Sequence, residues 1–197
     1  VDSFLVSVTP VSADESVKTN QLNELATTYT KDFIKQELLI TCNKQESKDS
    51  FLRLIDKPLR LEFLSAIFLK QHFKYLSVIP HYKSEGLPVY TASGNKPCSL
   101  WTAQSYTEVS LIRDRSQSTL EMIPIARHLK ELIKNSTDIR EKFSVFVAPN
   151  THDDAKEYAK FAQFKDNINI CCYAINDFIK KVENSAELLQ LNDDWKA

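Results

Sequence analysis

Two short apolar runs constrain this fold more than anything else in the chain: Lys142–Ala148 (KFSVFVA) and Ile168–Tyr173 (INICCY). Each is too short for an ordinary core helix, and the first is rich in β-branched and aromatic residues, so both are predicted as buried strands. Between them, Thr151 or His152 opens an amphipathic helix running to about Phe164. After them, Ile175 to about Leu191 has helical periodicity, with Asn176 or Asp177 near its start. Strands alternating with helices cannot be joined as hairpins. They form a parallel or mixed sheet, with helices packed on its faces.

Upstream the pattern is less regular. Ser12 to about Leu38 reads as one helix, with Leu22, Leu25, Tyr29 and Phe33 on one stripe and no Gly or Pro after Pro10. The polar stretch Thr41–Ser50 interrupts it and is the candidate boundary between a helical extension, 1–46, and one compact domain, 47–197. Asp56 then stands as an N-cap with Pro58 in the first helical turn. Leu61, Leu64, Ile67, Phe68 and Phe73 carry that helix to about His72 or Phe73. Leu76–Pro80, Val89–Thr91, Cys98–Trp101 and Tyr106–Ile112 read as extended, separated by turns at Glu85–Pro88 and Ser93–Asn95. A helix from about Gln117 to Lys134 follows, with Met122, Ile125, Leu129 and Ile133 on one side. The order is helix, three strands, helix, strand, helix, strand, helix.

Composition excludes several functions. Net charge is −1, against binding nucleic acid by charge alone. The two glycines, Gly86 and Gly94, cannot make a glycine-rich phosphate loop. No apolar run spans a membrane, and no signal peptide is visible. Cys42, Cys98, Cys171 and Cys172 lack C-x-x-C spacing, so neither zinc nor a disulfide framework is expected, and a reducing cytoplasm is the expected compartment. No Ser-His-Asp arrangement is apparent. The first residue is Val, which points to a chain processed or cut from a longer one.

The chemistry lies in Tyr106–Ile112, where Glu108 sits inside an apolar extended run. A strand carboxylate either faces solvent, pairs with Lys or Arg, or binds a cation, because burying it bare is costly. Glu62 lies in the helix before the strands and Glu121 in the helix after them. A helix–strand–helix arrangement can bring all three acids to one sheet edge, and converging carboxylates hold a hard ion such as Mg²⁺. Taken singly, each is an ordinary surface glutamate. Lys70, Lys74, Lys83, Lys96, Arg113 and Arg115 surround this region in sequence, as phosphate contacts or as a solvated basic face. Arg127-His128 is a helix-borne pair that reads either as lying near the site or as packing and hydrogen-bonding residues.

The blocks Ile55–Ile67 (IDKPLRLEFLSAI), Gly86-Leu87-Pro88, Gly94-Asn95-Lys96, Thr107–Leu111 (TEVSL) and Glu121–Leu129 (EMIPIARHL) resemble, in order, AlwI-type restriction endonuclease cleavage domains. The resemblance covers about Ser47–Lys134, and the tail to Lys181 fits more loosely. It implies the PD-(D/E)xK nuclease fold: an α/β, αβββαβ core with a mixed sheet flanked by helices, here preceded by an N-terminal helix. It implies a type IIS DNA endonuclease using Mg²⁺ or Mn²⁺, with double-stranded DNA as substrate, a second catalytic domain as partner, and a separate recognition domain absent from this chain. Residue by residue, Glu108 would bind the metal with the Val109 carbonyl. Glu62 and Glu121 would orient the attacking water, supported by Gln117, and Lys96, Arg113 and Arg115 would contact DNA. Two positions depart from the pattern. Cys98 stands where the family has a metal-binding Asp, and a thiol suits Mg²⁺ poorly. Ser110 occupies the Lys position of most such nucleases, a Lys this subfamily often lacks. The alternative is therefore a catalytically degenerate nuclease-fold module that binds DNA or dimerises.

Overall fold

The computed structural model describes residues 24–73, 79–81, 99–101, 105–136 and 139–195, with the backbone alone for 79–81, 99–101 and 193–195. The chain divides into two compact units, Val1–Leu100 and Trp101–Ala197.

In the first unit, helices α1 (Lys31–Cys42) and α2 (Lys57–His72) pack together. The single helix expected over Ser12–Leu38 is broken, within the described residues, at Tyr29–Thr30, although no Gly or Pro stands there. Thr27 and Thr28 turn their hydroxyls onto the Glu24 carbonyl, at 2.7 and 2.9 Å. Thr30 then caps a new helix, its Oγ1 accepting from the Phe33 N–H at 3.2 Å. Hydroxyl side chains thus compete with the helix ladder and reset its phase. The buried stripe becomes Ile34, Leu38 and Cys42, while Phe33 stacks on Tyr29.

Helix α2 begins after Asp56 as expected and ends at His72. Its expected single stripe is replaced by burial on all sides, continuous from Leu59 to Leu69 and including Arg60, Glu62 and Ser65. Such a helix is a core element rather than a surface one. Gln71 ties it back to the break before α1, its Nε2 donating to the Ala26 and Tyr29 carbonyls. A 3-10 turn, Leu52–Leu54, leads into α2, and Asp49 accepts from the Phe51 and Leu52 N–H groups at its start. The short strands β1 (Ile79–His81) and β2 (Ser99–Trp101) follow. The extended piece expected at Val89–Thr91 lies outside the described residues.

The second unit contains the predicted parallel sheet. Strands β3 (Ser105–Val109), β4 (Phe143–Ala148) and β5 (Asn169–Ala174) pair in parallel, with Glu108 opposite Phe146 and Phe146 opposite Cys172. Helix α3 (Ile123–Asn135) connects β3 to β4, and α4 (Asp153–Asp166) connects β4 to β5. Lys130 on α3 reaches Asp166 on α4 at 2.6 Å, which sets these helices side by side. Strand β4 is buried at all six positions, as its apolar run requires of a central strand. Helix α5 (Ile175–Glu183) and a 3-10 segment (Leu188–Trp195) complete the unit. The Tyr173 hydroxyl donates to the Leu191 carbonyl and the Cys171 thiol to Asn192 Oδ1, so one face of β5 meets that segment. Cys172 is on the opposite pleat. Burial pushes its thiol up to about 12, which makes it a packing group.

Three boundaries differ from expectation. The strand predicted over Tyr106–Ile112 ends at Val109, although the Ser110 N–H still donates to the Val147 carbonyl at 2.9 Å. The helix predicted to run to Leu191 stops at Glu183, because Gln190 Oε1 accepts from the Ala186 and Glu187 N–H groups and starts a separate 3-10 turn. The helix predicted from Gln117 contains a π turn, Ser118–Met122, before α3. Pro124 explains it. Proline has no N–H to give the Leu120 carbonyl, and a regular α turn would drive its ring against that carbonyl. Among the described residues, no helix is long and apolar enough to cross a membrane.

Candidate active site

Strand alternation puts Tyr106, Glu108 and Ser110 on one face of β3. All three are buried, with Glu108 only 5% exposed. The Tyr106 hydroxyl donates to Glu108 Oε2 at 2.5 Å, holding the carboxylate along the strand. The Tyr106 ring also lies 5.0 Å from that of buried His128 on α3, so this face of β3 is the one covered by α3.

Glu121 reaches the same face from the π turn. Ser110 Oγ donates to Glu121 Oε1 at 2.7 Å. Burial holds the Glu121 carboxyl above the ordinary carboxylate range, and the Ser110 hydrogen bond only partly offsets it. The π turn is part of this geometry, since the widened backbone at Ser118–Met122 carries Glu121. Two carboxylates from separate elements, Glu108 and Glu121, are thus brought to one face near the C-terminal end of a parallel strand. In open α/β sheets that end is the usual place for a ligand.

Gln117 is fully buried, and its amide bonds to the backbone of two loops. Its Nε2 donates to the Ile112 carbonyl at 2.7 Å and to the Asn150 carbonyl at 2.8 Å, while Oε1 accepts from the His152 N–H at 2.8 Å. It therefore clips the loop after β3 to the loop after β4. Asn150 reinforces the clip by donating to the Arg113 carbonyl at 3.0 Å. Arg113 and Arg115 are exposed on that loop, and Arg115 lies 3.7 Å from Asp154 in the first turn of α4. Val109 closes β3 with its side chain buried on the opposite pleat to Glu108. Glu62, in the first unit, is fully buried on α2. Cys98 and Lys96 lie outside the described residues.

Sequence reading gave no role to Tyr106, the partner of Glu108, or to Ser110, the partner of Glu121. The signal for both was present in the two-residue spacing Tyr106-Glu108-Ser110. Nothing in the local sequence tied Gln117 to Asn150 and His152, which lie more than thirty residues away.

Among the described residues, no three His, Cys, Asp or Glu side chains are grouped so that they alone could hold a metal ion. The donors on the β3 face are nevertheless of the right kind for Mg²⁺ or Mn²⁺. Both are hard carboxylate oxygens, and Mg²⁺ is commonly held by one or two carboxylates with water and substrate phosphate completing its octahedron.

No curated protein matches the chain. A family model, AlwI restriction endonuclease, matches residues 7–180, which takes in α1, α2, the three parallel strands and the Glu108 face. The ordered blocks around Glu62, Glu108 and Glu121 agree with that match, and the chain belongs to the AlwI restriction endonuclease family.

Proposed function

We propose that this chain is the cleavage domain of a type IIS restriction endonuclease and hydrolyses phosphodiester bonds in double-stranded DNA. The observation that carries the reading is the buried Glu108 carboxylate on β3, with Glu121 tied to the same face through Ser110. Family membership supplies the substrate class. The parallel strands and their helices are read as part of an αβββαβ core of the PD-(D/E)xK type.

Glu108, with the Val109 carbonyl, would hold Mg²⁺ or Mn²⁺. The bound ion supplies polarisation of the phosphodiester and a lowered pKa for water. Glu121 is suited to orient the attacking water and accept its proton, because burial raises its proton affinity. Glu62 is assigned the same orienting task. Gln117 is a positioning residue, fixing the loop that carries Arg113 and Arg115, and these, with Lys96, would contact backbone phosphates. Cutting both strands requires a second catalytic domain, and a separate domain would supply target recognition.

Cys98 favours a second reading, a degenerate module that keeps the shape and DNA binding without cleavage, because a thiol replaces the family's hard oxygen ligand. A supercoiled plasmid assay in Mg²⁺ and in Mn²⁺ separates the two. For an active domain, Glu108→Ala lowers cleavage by at least about a hundredfold, more than losing an outer-shell partner of a metal would. For a degenerate one, the native chain is silent and Cys98→Asp gains cleavage that Glu108→Ala then removes. Cleavage by the native chain that survives Glu108→Ala would show the site to be elsewhere.

A further inference from the structure

The start of α2, in the first unit, has the makings of a second anion site. Asp56 occupies the N-cap position of this 16-residue helix but makes no side-chain cap hydrogen bond. The helix therefore begins with its positive end uncapped by its own sequence. Three cations stand around that end: Arg53 in the preceding 3-10 turn, Lys57 at the first helical residue, and Arg60 one turn on.

All three act on one carboxylate, Glu46, in the loop after α1. Lys57 Nζ lies 2.6 Å from Glu46 Oε1, and Arg60 Nη2 lies 3.8 Å from Oε2. Arg53 adds its positive field, and together the three cations hold the Glu46 carboxyl below the ordinary range. Asp49 is turned to the Phe51 and Leu52 N–H groups, and Asp56 is exposed.

Arg60 is what distinguishes this cluster from a solvated charge pair. Its side chain is only 2% exposed, and its Nε and Nη2 donate to the Ile55 carbonyl at 3.2 and 2.9 Å. Its Nη1 is buried and has no hydrogen-bond partner among the described residues. Guanidinium cannot escape burial by losing its proton, so its spare donor, in a group that also faces a carboxylate, suits an anion with oxygens to spare. Glu46 meets that need poorly. One oxygen is taken by Lys57, the other stands beyond hydrogen-bond range of Arg60, and the side chain is 62% exposed. A phosphodiester has two unesterified oxygens that match an arginine fork, and exposed ion pairs contribute little, so exchanging Glu46 for it costs little.

We infer that Arg53, Lys57, Arg60 and the first turn of α2 form a binding site for a DNA backbone phosphate, occupied by Glu46 until DNA displaces it. The inference rests on reading the chain as a DNA-binding enzyme, and it adds a contact that neither the carboxylate site nor Arg113 and Arg115 supplies. Glu46 is then an intramolecular stand-in for phosphate. It offsets the charge of Lys57 and Arg60 in the free protein and sets a threshold for non-specific binding.

The test uses the intact chain and a fluorescent duplex in a chelator, so that binding is measured without cutting. Glu46→Gln is expected to tighten binding by about three- to tenfold and to steepen the slope of log K against log salt by about one, as one more phosphate is neutralised. Lys57→Ala is expected to weaken binding and flatten the slope by a similar amount. In parallel, inorganic phosphate, compared with chloride at equal ionic strength, should raise the melting temperature of Glu46→Gln more than that of the native chain. Duplex binding that neither substitution alters, with no differential effect of phosphate, overturns the site and leaves the DNA reading intact. Absence of duplex binding in every variant, with the phosphate effect present, overturns the DNA reading and leaves an anion site.

Discussion

Glu121 is the residue whose ionisation the fold resists. Its carboxyl is held above the ordinary range by burial, with Ser110 donating a hydrogen bond that favours the charged form. Between the unfolded and the folded pKa, the native state therefore binds more protons than the unfolded chain, and stability falls as pH rises through that window. Glu121→Gln keeps an oxygen for Ser110 and removes the charge. In metal-free urea denaturation, the native chain should lose stability relative to Glu121→Gln as pH is raised from about 4 to about 7. A constant difference across that range would mean that Glu121 ionises freely in the folded protein. The same resistance suits a proposed water-orienting acid, because a raised proton affinity makes a better base near neutral pH.

At the scale of elements, the Gln117 amide joins the loops after β3 and β4 at three backbone groups. Gln117 satisfies two carbonyls and one N–H, all of which lose their partner together if its side chain is cut back. Gln117→Ala is expected to destabilise the fold by about 2–4 kcal/mol, from groups left short of hydrogen bonds in a buried place. Urea midpoints measure this. Cleavage per folded molecule should fall less than with Glu108→Ala, as befits a residue that positions a loop rather than touching substrate. Elements set by side-chain chemistry were also those that periodicity misjudged. Thr30 starts a helix inside what reads as one continuous helix, and Pro124 forces a π turn where the pattern reads as plain α. The periodic signal reports which face is buried. It is blind to a hydroxyl or a missing N–H that diverts the backbone within a turn.

For the molecule as a whole, the proposed activity is a collective one. A single catalytic domain cuts one strand per encounter, so double-strand cutting on a relaxed plasmid should rise more steeply than the first power of protein concentration, while nicking stays near first order. Equal orders for the two products would argue against pairing. Helix α4 presents Phe164, 91% exposed, and Phe161, 53% exposed, on the outside of the second unit. Apolar residues left in water in this way are one surface on which such pairing is to be sought.

By itself the sequence determined that β4 and β5 are buried strands joined through a helix, that α2 starts beside Asp56 and Pro58, and which family the ordered blocks resemble. These follow from short-range information: the two periods of burial, the capping and proline rules, and residue spacing within single elements. Glu108 was legible on the same terms, as a charge inside an apolar extended run. Tertiary structure decided what that charge meets. Only the pairing of β3 with β4 and the packing of α3 over it bury Tyr106, Glu108 and Ser110 on one face and set Ser110 against Glu121, and only folding brings Gln117 to Asn150 and His152. A carboxylate's environment depends on which groups exclude water from it, and in a parallel sheet those groups come from distant parts of the chain.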